Sequence, residues 1–193
     1  MARKTKTPTS RVSVGDRFPD LQLTAITGET VAIPNTGGAL THLQFRRFAG
    51  CPICNLHLRS VSSRVDEIGA AGIREVVIFH STADELRKYQ GDMPFLVVGD
   101  PDKTLYRRFG VEASVKAVLN PRAWRAIPGG WRHAIANAVA HRRGPLPLAP
   151  TNGNLGLPAD LLIAGDGRVA AVKYGAHAYD QWSVDELLEL AGG

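Results

Sequence analysis

Apolar residues recur along this chain with two different periods, and the changes of period predict alternating strands and helices. Apolar and polar positions alternate over residues 21–25, and a turn leads into an apolar run at residues 30–33, which predicts a β-hairpin. Residues 40–45 predict a strand. Over residues 53–68 the apolar positions fall mostly at helical spacing, so a helix is expected after that strand.

Two further strand–helix pairs are predicted in the middle of the chain. The β-branched run at residues 73–79 is typical of a buried central strand, and another buried strand is expected at residues 95–98. Hydroxyl residues followed by carboxylates three positions later indicate that a helix begins within residues 81–85. A short helix at residues 103–109 is expected to end at Gly110.

The last part of the chain predicts antiparallel strands and a final helix. Residues 161–164 and 169–172 flank a Gly-Asp-Gly turn and predict a hairpin, and a capping box at residues 183–186 predicts a helix start. Residues 111–157 break the alternation and are interpreted as a mostly helical insertion. Alternating strands and helices favour a parallel sheet covered on both faces. The whole order predicts an α/β, thioredoxin-like fold with an N-terminal β-hairpin extension.

The length of 193 residues suits a single domain. Residues 1–12 are expected to form a flexible basic tail, and residues 13–193 a single thioredoxin-like domain. The sequence contains neither an apolar run of the roughly 20 residues that span a bilayer nor the apolar stretch of a secretory signal. A cytoplasmic location without membrane contact is therefore expected.

The net charge of +5 is unevenly placed, and residues 111–145 are strongly basic. Such a segment can attract nucleic acid, a membrane surface or an anionic substrate, although a solvated face is the simpler interpretation. Trp124 and Trp131 lie in this segment, where they either cap an active site or pack the insertion onto the sheet or a second subunit. Nucleic acid is not an expected partner, because no recognisable nucleic-acid motif is present.

The two cysteines of the chain, Cys51 and Cys54, carry the candidate chemistry. A disulfide between them would close too small a loop to stabilise the fold much, which leaves redox chemistry or metal binding. A strand that runs into Cys-Pro-Ile-Cys and then a helix places both sulfurs at a helix N-terminus, where the macrodipole favours a thiolate. Arg46, Arg47 and Arg59 add positive charge nearby in the sequence.

Two other interpretations of the cysteine pair are open. Cys-x2-Cys is half of a common zinc site, but the 6 histidines include no His-x3–5-His partner, so no metal site is expected. Two inert core cysteines are the second alternative. His80 follows a buried strand and is a candidate proton shuttle, with a structural or solvated histidine as the alternative. His57 shares a helix face with Cys54 and is interpreted as a spectator.

Three segments of the sequence carry a family resemblance, namely residues 14–21 with 28–31, residues 45–54 and residues 157–163. They resemble peroxiredoxins of the alkyl hydroperoxide reductase/thiol-specific antioxidant family, and Cys-Pro-x-Cys is typical of its peroxiredoxin-like branch. The resemblance implies that Pro158 is a cis-proline opposite the dithiol and that it leaves neighbouring backbone groups for a substrate.

The family pattern and the thioredoxin pattern disagree about the attacking sulfur. Typical peroxiredoxins carry Pro-x-x-x-Thr-x-x-Cys, which places Arg47 at the proline, Cys51 at the threonine and Cys54 at the attacking position. In thioredoxins the first cysteine, which is exposed, attacks. We expect Cys51 to attack as the more exposed thiol, with Cys54 resolving the intermediate.

The resulting hypothesis is a thiol–disulfide oxidoreductase, a peroxiredoxin-like antioxidant protein, that reduces a peroxide, endoperoxide or disulfide. Its catalytic residues are Cys51 and Cys54, and the residues expected to contact substrate are Arg46, His80, Leu157 and Pro158. No bound cofactor is expected, because a thioredoxin-like protein or a small thiol supplies the electrons; homodimer formation is left open. The alternative is a redox-inert thioredoxin-like binding module whose residues 111–145 hold an anionic partner.

Overall fold

The computed structural model describes residues 11–111 and 156–192. Most of the expected basic tail at residues 1–12, and most of the expected insertion at residues 111–157, lie outside these ranges. Both therefore stay predictions, as does the anionic-partner surface assigned to residues 111–145.

The described residues alternate between strands and helices as the hydrophobic pattern predicts. The elements are β1 (Leu21–Thr24), β2 (Thr30–Ile33), β3 (Leu40–Arg46), α1 (Pro52–Ser63), α2 (Val65–Ala70), β4 (Ile73–Phe79), α3 (Ala83–Gln90), β5 (Leu96–Gly99), α4 (Thr104–Arg108), β6 (Ala159–Ile163), β7 (Val169–Tyr174) and α5 (Val184–Gly192). The single helix expected over residues 53–68 is instead two helices, because Arg64 leaves helical geometry with a φ of −122°. In the part of the chain described, no helix has both the length and the apolar character needed to cross a bilayer.

The described strands form a mixed sheet in the order β5-β4-β3-β6-β7. Strands β3, β4 and β5 pair in parallel, whereas β6 pairs antiparallel with both β3 and β7. The β1–β2 hairpin is a separate small sheet that reaches edge strand β5, where the Ile26 N–H donates to the Val97 carbonyl at 2.8 Å. The thioredoxin-like α/β fold with its N-terminal hairpin is thereby confirmed.

Strand β3 lies in the middle of this sheet and is buried on both faces, so its alternating side chains enter two different layers. Leu43 and Phe45 join the apolar core that includes residues of the β1–β2 hairpin and of α4. His42, Gln44 and Arg46 point into the opposite layer. That layer is apolar toward both edges of the sheet and polar along β3.

Candidate active site

The cysteine pair lies where the loop after β3 enters helix α1. Gly50 turns the chain with a φ of 75°, a conformation that would strain most side chains. Cys51 is the N-cap of α1, and Pro52 follows as its first residue, where a missing N–H costs no helical hydrogen bond. Both cysteines are free thiols. The sequence prediction that the two sulfurs share a helix N-terminus is confirmed.

Both thiols are covered, and the expectation that Cys51 is the exposed one is wrong. The relative exposures of Cys51 and Cys54 are 0% and 1%. They pack in one apolar cluster with Phe48, Ile53 and Ala178. Ala178 belongs to the segment after β7, for which the sequence suggested no role. Exposure therefore does not distinguish the two sulfurs.

Arg47, rather than Arg46, is the arginine at the sulfur. Arg47 Nη1 lies 3.6 Å from Cys51 Sγ. Arg46 was expected to contact substrate, but its side chain is fully buried and its Nη2 donates to Asp160 Oδ1 at 2.6 Å. The last residue of a strand and the residue after it point to different sides, so only one of the two adjacent arginines can reach the dithiol.

The surroundings of the two thiols separate their pKa values. Burial opposes ionisation of Cys51, but a hydrogen bond with Cys54 and the positive charge of Arg47 outweigh it, helped by backbone N–H groups at the helix start, and the pKa of Cys51 falls to about 6. Burial and the neighbouring Cys51 raise the pKa of Cys54 well above its usual value. Near neutral pH the pair therefore combines a Cys51 thiolate with a Cys54 thiol, and the thiolate is the reactive species.

Replacing Arg47 with glutamine is expected to raise the pKa of Cys51 by about 1 pH unit or more, because a positive charge beside the thiolate is lost. In the unmodified chain the rate of alkylation of Cys51 should rise with pH and level off above its pKa of about 6. The measurement is the pH dependence of modification by a small alkylating agent. Arg59→Gln, at an exposed position of the same helix, is the matched control and should leave the midpoint unchanged. Equal midpoints in the two variants would contradict the assignment of Arg47.

His80 lies beside the loop that carries the cysteines. Its backbone N–H donates to the Arg47 carbonyl at 3.0 Å, and its ring centre is 6.3 Å from that of Phe48. Burial, followed by the charges of Lys103 and Arg47, lowers the pKa of His80 to about 4, so the ring is neutral near pH 7. Its expected role toward substrate stays a prediction.

Leu157 and Pro158 precede β6. The prediction, implied by the family resemblance, of a cis peptide bond before Pro158 is wrong. The peptide bond before Pro158 is trans. Among the described residues, the cis peptide bond is the one before Pro34. Pro158 packs against Gly175, where an added Cβ would lie 2.7 Å from Pro158 Cγ, and its carbonyl accepts from the Gly175 N–H at 2.9 Å. Pro158 therefore packs against the start of the segment after β7, whose Ala178 joins the apolar cluster of the thiols. Substrate contact by Leu157 and Pro158 stays a prediction.

A closed ring of five buried polar side chains lies in the layer opposite the hairpin, made of His42, Gln44, Arg46, Glu75 and Asp160. His42 Nδ1 bonds Glu75 at 2.9 Å, and His42 Nε2 bonds Asp160 at 3.2 Å. Arg46 donates to Asp160 and to Gln44, and Gln44 donates to Glu75. Burial opposes protonation of His42, but the two carboxylates raise its pKa to about 9. Near pH 7 the ring therefore pairs two positive side chains, His42 and Arg46, with two carboxylates, Glu75 and Asp160.

The sequence carries only one signal of this ring. Polar residues alternate with Leu43 and Phe45 along β3, which is typical of a strand with one solvated face. The central position of β3 in the sheet buries that face, so the polar groups pair with one another. Among the residues that the structure describes, no group of three or more His, Cys, Asp or Glu side chains is arranged to hold a metal ion.

Comparisons with known proteins agree with this architecture. The sequence profile of the AhpC/TSA family matches residues 14–172. A comparison with curated proteins found no significant sequence match.

Among solved structures, peroxidoxin BcpB from Mycobacterium tuberculosis aligns with a TM-score of 0.63 and 15% identity over 94% of this chain and 97% of its own. Peroxiredoxin 6 of Arenicola marina, as a mutant, aligns with a TM-score of 0.67 and 12% identity over 94% and 72% of the two chains. AhpC from Mycobacterium tuberculosis aligns with a TM-score of 0.62 and 13% identity over 94% and 92%. At such low identities these likenesses show the fold.

Proposed function

The chain belongs to the AhpC/TSA family, and from this premise we propose that it is a thiol-dependent oxidoreductase whose reacting groups are Cys51 and Cys54. The observation that carries the proposal is the contact between Arg47 and Cys51 Sγ at the start of α1. A guanidinium and a helix N-terminus both favour a thiolate. The second thiol stands one helical turn away on the same end of the helix, in position to close a disulfide.

The reaction proceeds in two displacements. The Cys51 thiolate attacks the O–O bond of a peroxide, which releases an alcohol or water and leaves a Cys51 sulfenic acid; with a disulfide, it releases a thiol and leaves a mixed disulfide. Cys54 then attacks Cys51 Sγ, which forms the Cys51–Cys54 disulfide and releases water or the second thiol. Two electrons pass from the dithiol to the substrate.

The covered thiols favour a small substrate. Because neither sulfur is accessible at the surface of the described structure, a hydroperoxide or a low-molecular-weight disulfide suits the site better than a folded protein disulfide. A thioredoxin-like protein or a small thiol is the proposed reductant, and a bound cofactor is not required because the electrons are held on sulfur. Regeneration of the dithiol needs a reducing compartment such as the cytoplasm.

Treatment with one equivalent of an organic hydroperoxide, and separately of a small disulfide, is expected to consume both free thiols of each chain. Added dithiol should restore both, and repeated cycles should reduce substrate in excess of protein. The measurement is a thiol count under denaturing conditions together with substrate consumption. Thiols that survive both oxidants would reject the proposal and favour the redox-inert binding module.

A further inference from the structure

His57 lies one helical turn after Cys54 on the covered side of α1. Its relative exposure is 6%. Residues three apart on a helix share a face, so His57 and Cys54 are neighbours on the buried side of α1. No hydrogen bond joins His57 Nδ1 to Cys54 in the reduced pair, and such a contact needs to form only when Cys54 attacks.

The hydrogen bond of His57 fixes its tautomer. His57 Nε2 lies 2.8 Å from the Trp182 carbonyl, which can only accept, so Nε2 carries the proton. Nδ1 is then a bare acceptor. It is buried and has no hydrogen-bond partner among the residues that the structure describes. A buried acceptor without a partner is costly, and functional sites are one of the places where such a cost is retained.

We propose that His57 Nδ1 accepts the proton of Cys54 when Cys54 attacks Cys51, an inference that rests on the function proposed above. The Cys54 S–H bond breaks and its proton moves to Nδ1. The sulfur forms the S–S bond with Cys51, and the bond from Cys51 to the departing group breaks with both electrons going to that group. The proton on His57 then passes to the departing hydroxide or thiolate, which restores the neutral imidazole.

The groups that face His57 keep its imidazole unprotonated at neutral pH, as a base that accepts a proton must be. Burial, reinforced by the positive charges of Arg46 and His42, lowers the pKa of His57 to about 4. Asp160 and the Trp182 carbonyl act in the opposite direction and favour the imidazolium. Asp160 Oδ2 is buried and has no hydrogen-bond partner within the described residues. The carboxylate thus stabilises the imidazolium for the short time it exists.

The need for such a base follows from the state of Cys54. Burial is the largest cause that keeps Cys54 protonated, and it persists after Cys51 has reacted and lost its charge. A thiol is a poor nucleophile. A positioned base typically contributes about 10²–10⁴ to a rate. Because a base with a low pKa is a weak one, we expect the lower end of that range, about a hundredfold.

The test uses a symmetric aromatic disulfide that releases a coloured thiol at each displacement. Stopped-flow absorbance separates the first release, from attack by Cys51, from the second release, from attack by Cys54. In His57→Gln the amide nitrogen can still donate to the Trp182 carbonyl while the base is lost. We expect an unchanged first release and a second release slowed about a hundredfold. Arg59→Gln, at an exposed position of the same helix, is the control and should leave the second release unchanged.

The pH profile of the second release distinguishes proton transfer from packing. In the unmodified chain the rate should be flat at pH values above the His57 pKa of about 4. In His57→Gln it should rise about tenfold per pH unit, since hydroxide must then remove the proton. A second release that already rises tenfold per pH unit in the unmodified chain would overturn the inference, even if the variant did not fold. A second release that is slowed in Arg59→Gln and not in His57→Gln would also overturn it, whereas a missing first release would reject the proposed function instead.

Discussion

Replacing Cys51 with serine is expected to abolish reduction of peroxide or disulfide, with a rate loss of about a thousandfold or more, because the nucleophile itself is removed. The reason for assigning the first attack to Cys51 is electrostatic. Arg47 contacts the sulfur of Cys51, and the pKa of Cys51 is lowered to about 6, whereas the pKa of Cys54 is raised. The measurement is single-turnover substrate loss in the presence of an external dithiol.

Cys54→Ser is the matched variant for this prediction. It should retain the first attack and stop at the mixed disulfide on Cys51, which mass spectrometry of the intact chain detects. The opposite outcome, in which Cys51→Ser retains the first attack and Cys54→Ser loses it, would make Cys54 the nucleophile, as the typical peroxiredoxin pattern implies. The fold would accommodate that outcome, but the electrostatic assignment would be wrong.

Replacing Asp160 with asparagine is expected to lower the free energy of unfolding by about 3 kcal/mol or more, because it removes one partner from a buried network of charges. The carboxylate accepts from Arg46 at 2.6 Å and from His42 at 3.2 Å, and both cations are buried with it. Without its charge, two buried cations face Glu75 alone. The measurement is equilibrium unfolding in urea at neutral pH.

Asp185→Asn is the control for the loss of a paired aspartate at the surface. Asp185 lies 2.6 Å from Arg64, but its side chain is 76% exposed. Exposed ion pairs contribute about 0–1 kcal/mol, so this variant should unfold close to the parent. If both variants lost the same small amount of free energy of unfolding, the buried ring would contribute little to stability.

Elements with a clear local pattern were predicted from the sequence. The β-branched run of β4 and the Asp-Gly turn between β6 and β7 each specify one conformation through neighbours a few residues away. The same is true of the capping box of α3, which is present as Thr82 and Glu85. The boundary of α1 was missed, since the break at Arg64 has no strong local signal such as proline.

The candidate site also has one part that the sequence predicted and one part that it did not. Cys-Pro-Ile-Cys between a strand and a helix predicted two thiols at one helix N-terminus, and the structure has them there. The choice between Arg46 and Arg47 could not be made from the sequence, because both precede the cysteines by a similar distance. It depends on which way each side chain leaves the end of β3.

Local patterns in the sequence were enough to establish the order of elements, the thioredoxin-like plan and the position of the reacting pair, because these follow from spacing within single segments. The packing of distant segments, by contrast, sets the burial of both thiols beside Ala178, the contact of Arg47 with Cys51 and the position of His57 near the buried charges. These features join residues as far apart in the sequence as His42 and Asp160, which are separated by 118 positions. Their contacts exist only once β3, β4 and β6 are side by side in the sheet, so no local pattern records them.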